Sequence, residues 1–92
     1  MNKESIEKYL NEVRDTLIRK NEDYGGASFD LGVNGNMVHV WDKTRRYRSL
    51  VEKKMAGGSQ PNFEGLEDTL KDLIGYCVIG LHILEDERRR ND

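Results

Sequence analysis

The stretch from Leu73 to Leu84 limits the fold of this chain more than any other feature. It is apolar on almost every side of a helix, with His82 as the exception, and it is too short to span a bilayer, which takes about 20 residues. A three-helix monomer can cover one side of such a helix but not all of them. We therefore predict a homo-oligomer through residues 63–90, most simply a two-fold dimer.

Apolar periodicity predicts three helices and no strands. Ile6, Leu10, Val13 and Leu17 recur three or four residues apart and indicate a first helix over about 3–23, which Asn2 caps. A glycine-rich loop follows over 24–35. A second helix is predicted over 36–56 and, after a turn rich in glycine and proline, a long third helix over 63–90. Residues 1–92 are thus predicted to form a single all-α domain with a long C-terminal helix.

The second helix carries a predicted packing stripe at helical spacing. Asn36 is its predicted N-cap. Glycines inside the third helix, at Gly75 and Gly80, each cost about 1 kcal/mol relative to alanine, so we expect close helix–helix contact to compensate for them. The predicted stripe of the second helix runs through Met37 or Val38, then Trp41, Thr44, Arg48, Val51 and Met55.

Composition narrows the classes of partner. A formal net charge of −2 argues against a protein dedicated to duplex nucleic acid, which is usually basic over a whole face. The one cysteine, Cys77, excludes a disulfide framework within the chain and a zinc site with four cysteine ligands. We interpret it as a buried thiol in a reducing compartment. The polar start of the chain does not resemble a signal peptide. We therefore expect a cytoplasmic protein with no membrane partner.

The first candidate site lies where the first helix ends. Lys20, Asp23, Tyr24 and Gly25 place a cation, a carboxylate, a phenol and a glycine close together. Glycine lets the backbone approach a ligand closely, so these residues are candidates for contact with phosphate. The alternative is an ordinary helix end, in which Gly25 takes the left-handed position.

The second candidate site lies in the middle of the second helix. Arg45 or Arg48 could bind a phosphate or reach a carboxylate of the third helix, and Trp41 could stack on a base. The alternatives are that Asp42 pairs with Arg45 and that Trp41 belongs to the core. The candidate ligand contacts in this helix are Trp41, Asp42, Lys43, Arg45 and Arg48.

The third candidate site is the acidic start of the third helix. Asp68, Asp72 and Tyr76 share one side of this helix, which continues into the apolar stretch, whereas Glu64 and Glu67 share another side. Carboxylates three or four residues apart can hold Mg²⁺. Asp68, Asp72 and Tyr76 are candidate ligand contacts. Glu64, Glu67, Asp68 and Asp72 are candidate metal ligands only if the protein is an enzyme.

Taken in order, these motifs resemble a known family. Lys-x-x-Asp-Tyr-Gly from Lys20, Asp42-Lys43 followed by Arg45, and Glu-Asp-Thr-Leu-x-Asp-Leu-x-x-Tyr from Glu67 to Tyr76 resemble the nucleotide-modification-associated domains of phages and bacteria. That family is similar in organisation to the all-α, MazG-like nucleotide pyrophosphatases. The resemblance implies an oligomeric helical protein of phage or prophage origin that handles a nucleotide-like ligand.

One departure from the pyrophosphatase pattern favours binding over catalysis. Those enzymes use a Glu-x-x-Glu pair followed by Glu-x-x-Asp, whereas Glu64 and Glu67 have no such second motif downstream. Hydrolysis assisted by a metal needs clustered charge to hold the ion and to activate water. The main prediction is therefore a non-catalytic protein, without a cofactor, that sequesters a nucleotide or a nucleotide-derived signal made by a defence system. Cyclic nucleotides are included among these signals. The alternatives are a Mg²⁺-dependent pyrophosphohydrolase and an inhibitor of a host protein.

Overall fold

The chain forms three helices. The computed structural model describes residues 1–26, 31–57 and 62–91, and of Tyr24 only the backbone. The helices are α1 (Lys3–Tyr24), α2 (Gly32–Ala56) and α3 (Phe63–Asn91), and the described residues contain no strand. The all-α prediction is confirmed. No helix in the described part of the chain is long and apolar enough to cross a membrane.

The central helix is α3, with α2 packed along one side of it and α1 along another. Asn36, Lys43 and Arg46 of α2 meet Tyr76, Asp72 and Thr69 in that order, so α2 runs antiparallel to α3. Lys71 and Gly75 of α3 meet Glu12 and Leu17, so α1 runs parallel to α3. Between α1 and α2, one side of α3 is left open.

The ends of α1 follow from local chemistry. The Asn2 side chain accepts a hydrogen bond from the Ser5 backbone N–H at 2.8 Å, which satisfies one of the donors that a helix start leaves free and confirms the predicted cap. At the other end, the Gly25 N–H donates to the carbonyl of Asn21 at 2.9 Å. Gly25 has a φ of 60°, a conformation that glycine adopts without a steric cost.

The predicted start of α2 is wrong. The helix begins at Gly32, so the predicted loop over 24–35 ends earlier, although part of that loop lies outside the described residues. Asn36 is not the cap: it lies inside the helix, where its amide donates to the carbonyl of Tyr76 at 2.8 Å. Gly35 is buried in the first turn, where a Cβ would collide with the side chain of Leu31. Gly35 therefore allows close packing inside the helix, whereas in the sequence alone the glycine indicated a loop.

The predicted packing stripe of α2 is also wrong. Met37, Trp41 and Met55 are exposed. Polar side chains of α2 contact α3: besides the bond from Asn36, the imidazole of His39 stacks on Tyr76 and the Nε of Arg46 donates to Thr69 Oγ1 at 3.2 Å. The hydrogen-bond partners lie 23 and 40 residues away in the chain, so the apolar periodicity of α2 does not reveal them.

The glycines of α3 allow close contacts within the chain. A Cβ at Gly80 would lie 2.5 Å from the side-chain oxygen of Asn36, and one at Gly75 would lie 3.5 Å from Leu17. Gly80 thus lets α2 approach closely enough for Asn36 to reach the carbonyl of Tyr76. The expected close approach is present, but these glycines are explained without a second copy of the chain.

Little apolar surface is buried. Among the described residues, the buried hydrophobic side chains are Val13 and Ile83, and the buried polar side chain is Thr69. Cys77 is exposed, which contradicts the interpretation of a buried thiol. The molecule is elongated, 52 × 30 × 26 Å, with a radius of gyration of 15.5 Å, where a compact domain of this length has about 12 Å. Three helices of this length therefore do not enclose a full core.

Candidate functional site

A cavity of about 320 Å³ opens between α1 and α3, and we call it the α1–α3 groove. Its volume lies near the lower end of the range for small-molecule sites, about 300–1,000 Å³. Val13 and Leu17 form apolar walls at its base. Its polar lining comes from Thr16, Arg19, Lys20, Asp68, Lys71, Asp72 and Tyr76.

Asp72 joins all three helices in this groove. Its carboxylate lies 3.3 Å from the ammonium group of Lys43 on α2 and 4.0 Å from that of Lys20 on α1. Asp72 can reach both because it lies on the side of α3 that opens between α1 and α2. Its side chain is 34% exposed, so the three charges are within reach of solvent and of a ligand. The sequence placed these residues in three separate motifs, and the fold brings them together.

An aromatic pair lies one turn further along α3. The rings of Tyr76 and His39 stack with their centroids 4.6 Å apart and their planes 3° from parallel. Tyr76 is half-buried and lines the groove. The stack fixes the orientation of the phenol ring, so the groove has a rigid aromatic element beside its charged one.

A second ion-pair cluster closes the other end of the groove. The ammonium group of Lys71 lies 2.7 Å from Glu12 and 3.0 Å from Glu67. Its hydrogen bonds to Glu12 and then to Glu67 raise the pKa of Lys71 above its usual value, and the hydrogen bond from Lys71 lowers the pKa of Glu12. Lys71 therefore links α1 to α3 through these ion pairs and is a weaker candidate for ligand contact than a cation without such partners. Arg19, in contrast, lines the groove and forms no ion pair with any described residue.

Several predicted contacts lie away from the groove, on the outer side of α2. The guanidinium of Arg45 lies 4.9 Å from the centre of the Trp41 ring, and Arg48 pairs with Glu52 at 2.9 Å. In the described part of the chain, neither arginine forms an ion pair with Asp68 or Asp72, and Asp42 forms none with Arg45. Lys43 takes the role of crossing to α3. Asp42 and Arg45 instead line a separate, shallow depression on α2.

The first motif extends the groove. Gly25 lines an adjoining cavity of about 410 Å³, which shares Leu17, Lys20 and Ile79 with the α1–α3 groove. Lys20 is therefore accessible from both cavities. Asp23 is exposed near the end of α1, and the side chain of Tyr24 lies outside the described residues. Lys20 pairs with Asp72, and no ion pair with Asp23 is present among the described residues.

The four carboxylates proposed as metal ligands divide into two sets. Asp68 and Asp72 line the groove, whereas Glu67 is bound to Lys71 and Glu64 lies in the exposed first turn of α3. Within the described residues, no group of three or more histidine, cysteine, aspartate and glutamate side chains is placed to hold a metal ion. Asp68 and Asp72 are the pair that could contribute oxygen ligands from this groove.

Sequence reasoning missed Arg19, Glu12 and His39. Arg19 precedes Lys20, and one helical step carries a side chain about 100° around the axis, so both can border the same opening. Glu12 lies on the stripe side of α1 beside Val13, a position where a carboxylate needs a cation from the facing helix. The positions of Arg19 and Glu12 on α1 could have indicated these roles, but only if the helix that packs against α1 had been known.

The comparison with protein families was decisive. Residues 20–84 match the model of the family described as nucleotide modification associated domain 1. The chain belongs to this family. The matched region begins at Lys20 and contains Asp68, Asp72 and Tyr76 of the groove and Lys43, which pairs with Asp72, whereas Arg19 precedes it. No curated protein and no solved structure gives a significant match to the chain.

Proposed function

We propose that the domain binds a nucleotide-type ligand in the α1–α3 groove and sequesters it without chemical change. The observation that carries this proposal is the meeting of Lys20 and Lys43, from two different helices, at Asp72 beside the aromatic ring of Tyr76. A nucleotide combines an anionic phosphate with a flat base, so it requires cationic groups and an apolar or aromatic surface close together.

Each part of the ligand has a suitable counterpart. Arg19 and Lys20 border the opening and can bind phosphate oxygens, Arg19 without breaking an ion pair to any described residue. The groove's apolar walls and Tyr76 can contact the base. Asp68 can accept a hydrogen bond from an amino or hydroxyl group of the ligand. Phosphate would compete with Asp72 for the two lysines, which makes Asp72 a regulator of affinity.

The proposal extends to the biological setting. We infer a phage-type protein that acts in the host cytoplasm against a nucleotide-derived defence signal, cyclic signals included. It works as a homo-oligomer through α3, whose exposed apolar side chains include Leu81 and Leu84. Sequestration needs tight binding and no catalyst. The ion pair of Glu67 with Lys71 agrees with this, because it occupies a carboxylate that a metal-dependent enzyme would use as a ligand.

A second candidate function is supported by Asp68 and Asp72, which line the same groove. Two carboxylates one helical turn apart can bind Mg²⁺ together with water and substrate phosphates. The residues present would hold the ion only in part, so further ligands would have to come from the substrate or from another subunit. In that case the domain is a MazG-like nucleoside triphosphate pyrophosphohydrolase.

One experiment separates these functions. The protein is mixed with linear and cyclic nucleotides, with and without Mg²⁺, and the melting temperature reports binding. Chromatography of the small molecules released by heat denaturation then reports their fate. An intact ligand supports sequestration, and monophosphate with pyrophosphate formed only with Mg²⁺ supports the hydrolase. If no nucleotide raises the melting temperature, both proposals fail and inhibition of a host protein becomes the better hypothesis.

Matched variants locate the site. Lys20→Ala combined with Lys43→Ala should weaken binding of the nucleotide at least about ten-fold, because the groove loses the cation of Lys20 and Asp72 loses the lysine that offsets its negative charge. Lys3→Ala is the control, since Lys3 pairs only with the exposed Glu7 among described residues. Arg45→Ala tests the outer side of α2. A loss of affinity in Arg45→Ala with none in the lysine variant would move the site away from the groove.

A further inference from the structure

The side of the molecule away from α1 carries an apolar surface built from two helices, and we call it the α2–α3 face. Every member of the face is exposed, including Leu81 at 68% and Met37 at 61%. Nothing in the described part of the chain covers it. The face consists of Val33, Met37 and Trp41 of α2, and Leu70, Cys77, Leu81 and Leu84 of α3.

The part of the face on α3 has the spacing of a helix-pairing seam. Its exposed members Leu70, Cys77, Leu81 and Leu84, together with the half-buried Ile74, follow one another at alternating intervals of four and three residues, which aligns them along one side of a helix. The other two sides of α3 are occupied by α1 and α2. The seam is therefore the third side, and it is available to an additional helix.

The part of the face on α2 points the same way. Asn36 contacts α3, and each further residue turns about 100° around the helix. Met37 therefore lies on one flank of α2, Trp41 lies about 40° further round toward the outer side, and Val38 lies on the opposite flank. Because α2 runs antiparallel to α3, the flank with Met37 is the one beside the apolar row of α3. This is the stripe that the sequence pattern predicts as buried.

The area of exposed surface fits a dimer. The chain exposes 7459 Å², whereas a compact monomer of its mass exposes about 5,500 Å². The excess, about 2,000 Å², is more than the roughly 800 Å² per subunit that a standard interface buries and matches the larger interfaces of obligate dimers. Burial of the α2–α3 face would remove most of the large apolar side chains on that side from water.

Charge selects the orientation of the pair. The first turns of α3 carry Glu64 and Glu67, and its last turn carries three arginines at 88–90 after three acidic residues at 85–87, with Arg89 paired to Glu85 at 2.6 Å. Parallel α3 helices would place the two acidic starts side by side, whereas antiparallel helices place Arg88 and Arg90 near the partner's acidic start. We propose that a second copy of the chain covers the α2–α3 face, with the two α3 helices antiparallel about a two-fold axis near Cys77. This arrangement rests on the proposed self-association through α3.

Neighbouring substitutions on α2 test the face. Met37→Glu should raise the dimer dissociation constant at least about ten-fold, because it would bury an unpaired carboxylate. Val38→Glu is the matched control, since Val38 is similarly exposed, at 57%, but lies on the other flank. Sedimentation gives the mass, and the fluorescence of Trp41, the one tryptophan, reports whether the face is covered. Equal weakening by both variants, or a monomeric wild type, overturns the proposal.

Cross-linking tests the position of the axis. Cys77 is the one cysteine of the chain, so a bismaleimide that spans about 10 Å can join two chains only where two copies of Cys77 lie close together. That span matches the roughly 8–10 Å between the axes of packed helices. We expect rapid formation of covalent dimer, and none in Met37→Glu at the same concentration. A dimer in sedimentation that does not cross-link shows association through another face and overturns the arrangement.

Charge reversal tests the direction. Arg88→Glu combined with Arg90→Glu should weaken an antiparallel dimer, because each acidic start would then face acidic residues. In a parallel dimer this end of α3 would face the same end of the second copy, so like charges would meet before and after the reversal. A dissociation constant that the double variant does not raise overturns the proposed orientation. Nucleotide binding is measured separately by melting temperature in Met37→Glu. The groove lies on the opposite side of α3, so Met37→Glu should still bind nucleotide. A monomeric wild type that binds nucleotide overturns the dimer alone, and a dimeric wild type that binds none overturns the nucleotide site alone.

Discussion

The α1–α3 groove and the α2–α3 face lie on opposite sides of the same helix and differ in every physical respect. The groove gathers cations and carboxylates from three helices around Asp72, whereas the face presents Met37, Trp41, Leu81 and Leu84 to solvent. In the chain, polar groups are in contact with one another and many large apolar groups are not. This distribution is the basis of the two proposals, in which a second copy of the chain covers the apolar side and a ligand binds on the polar side.

The seam between α2 and α3 supports that view. It is held by a hydrogen bond from Asn36, by the stacking of His39 on Tyr76 and by the ion pair of Lys43. Such contacts depend on direction, and they fix the register of α2 on α3 more than they stabilise the fold. This register brings Lys43 and Lys20 together at Asp72, and it places Met37 beside the apolar row of α3 on the face. The polar contacts between α2 and α3 therefore position both surfaces.

The largest expected effect separates the core from the face. Ile83→Ala should destabilise the fold by about 2–5 kcal/mol at any protein concentration, because Ile83 is buried at 5% exposure. Leu81→Ala, two residues away on the face, should destabilise only where the dimer forms. Denaturant unfolding at two protein concentrations, one below the dimer dissociation constant, measures both. A loss for Leu81→Ala that does not change with concentration would contradict the assignment of the face.

A smaller effect is expected at the point where α2 approaches α3 most closely. Gly80→Ala should cost about 1–3 kcal/mol, because a methyl group there would displace Asn36 from the carbonyl of Tyr76. Adding Asn36→Ala should remove the collision, so the double variant should be more stable than the two single losses added together. Thermal unfolding of all four proteins completes the cycle. Strict additivity would show that the two residues do not interact.

At the groove, Asp72→Asn distinguishes the two candidate functions. If the domain sequesters its ligand, removal of the charge frees Lys20 and Lys43 for phosphate, and the affinity for nucleotide should rise roughly three- to tenfold. If the domain is a hydrolase, turnover should be lost while binding remains. Calorimetric titration together with a product assay measures both. Unchanged affinity and unchanged turnover would place the ligand elsewhere.

The smallest effect concerns pH. The hydrogen bond from Lys71 lowers the pKa of Glu12 below its ordinary value of 4.5, so the folded state binds this proton less tightly than the unfolded chain does. The stabilisation is present above pH 4.5 and is lost as the pH falls through the lowered pKa. The fall in melting temperature between pH 7 and pH 3 should therefore be smaller in Glu12→Gln than in wild type.

Glu4→Gln is the control for that measurement, because Glu4 forms no ion pair with another described residue. It removes one carboxylate from the same helix without removing a contact to α3. A change in pH dependence equal to that of Glu12→Gln would show that net charge, and not the pair with Lys71, is the cause.

Local sequence patterns were sufficient to predict the helices, most of their ends and the family. Asn2, Gly25 and the spacing of Ile6, Leu10 and Val13 act within a few residues of the chain, so local rules were sufficient for α1. The motifs from Lys20 to Tyr76 indicated the family for the same reason, since each is contiguous. Lys20, Lys43, Asp68, Asp72 and Tyr76 were all selected as site residues before their positions in space were known.

The side of each helix that packs against another could not be predicted from local patterns. Periodicity assigned Met37 and Trp41 to the core and gave no reason to place Asn36, His39 and Lys43 there, yet the polar set forms the seam. A hydrogen bond or ion pair depends on a partner some 30 to 40 residues away, and such a partner leaves no trace in local spacing. For the same reason, local spacing did not predict that Arg19 lines the groove or that Arg45 lies away from it. Long-range polar pairing therefore determined the site, and local apolar patterning determined the helices.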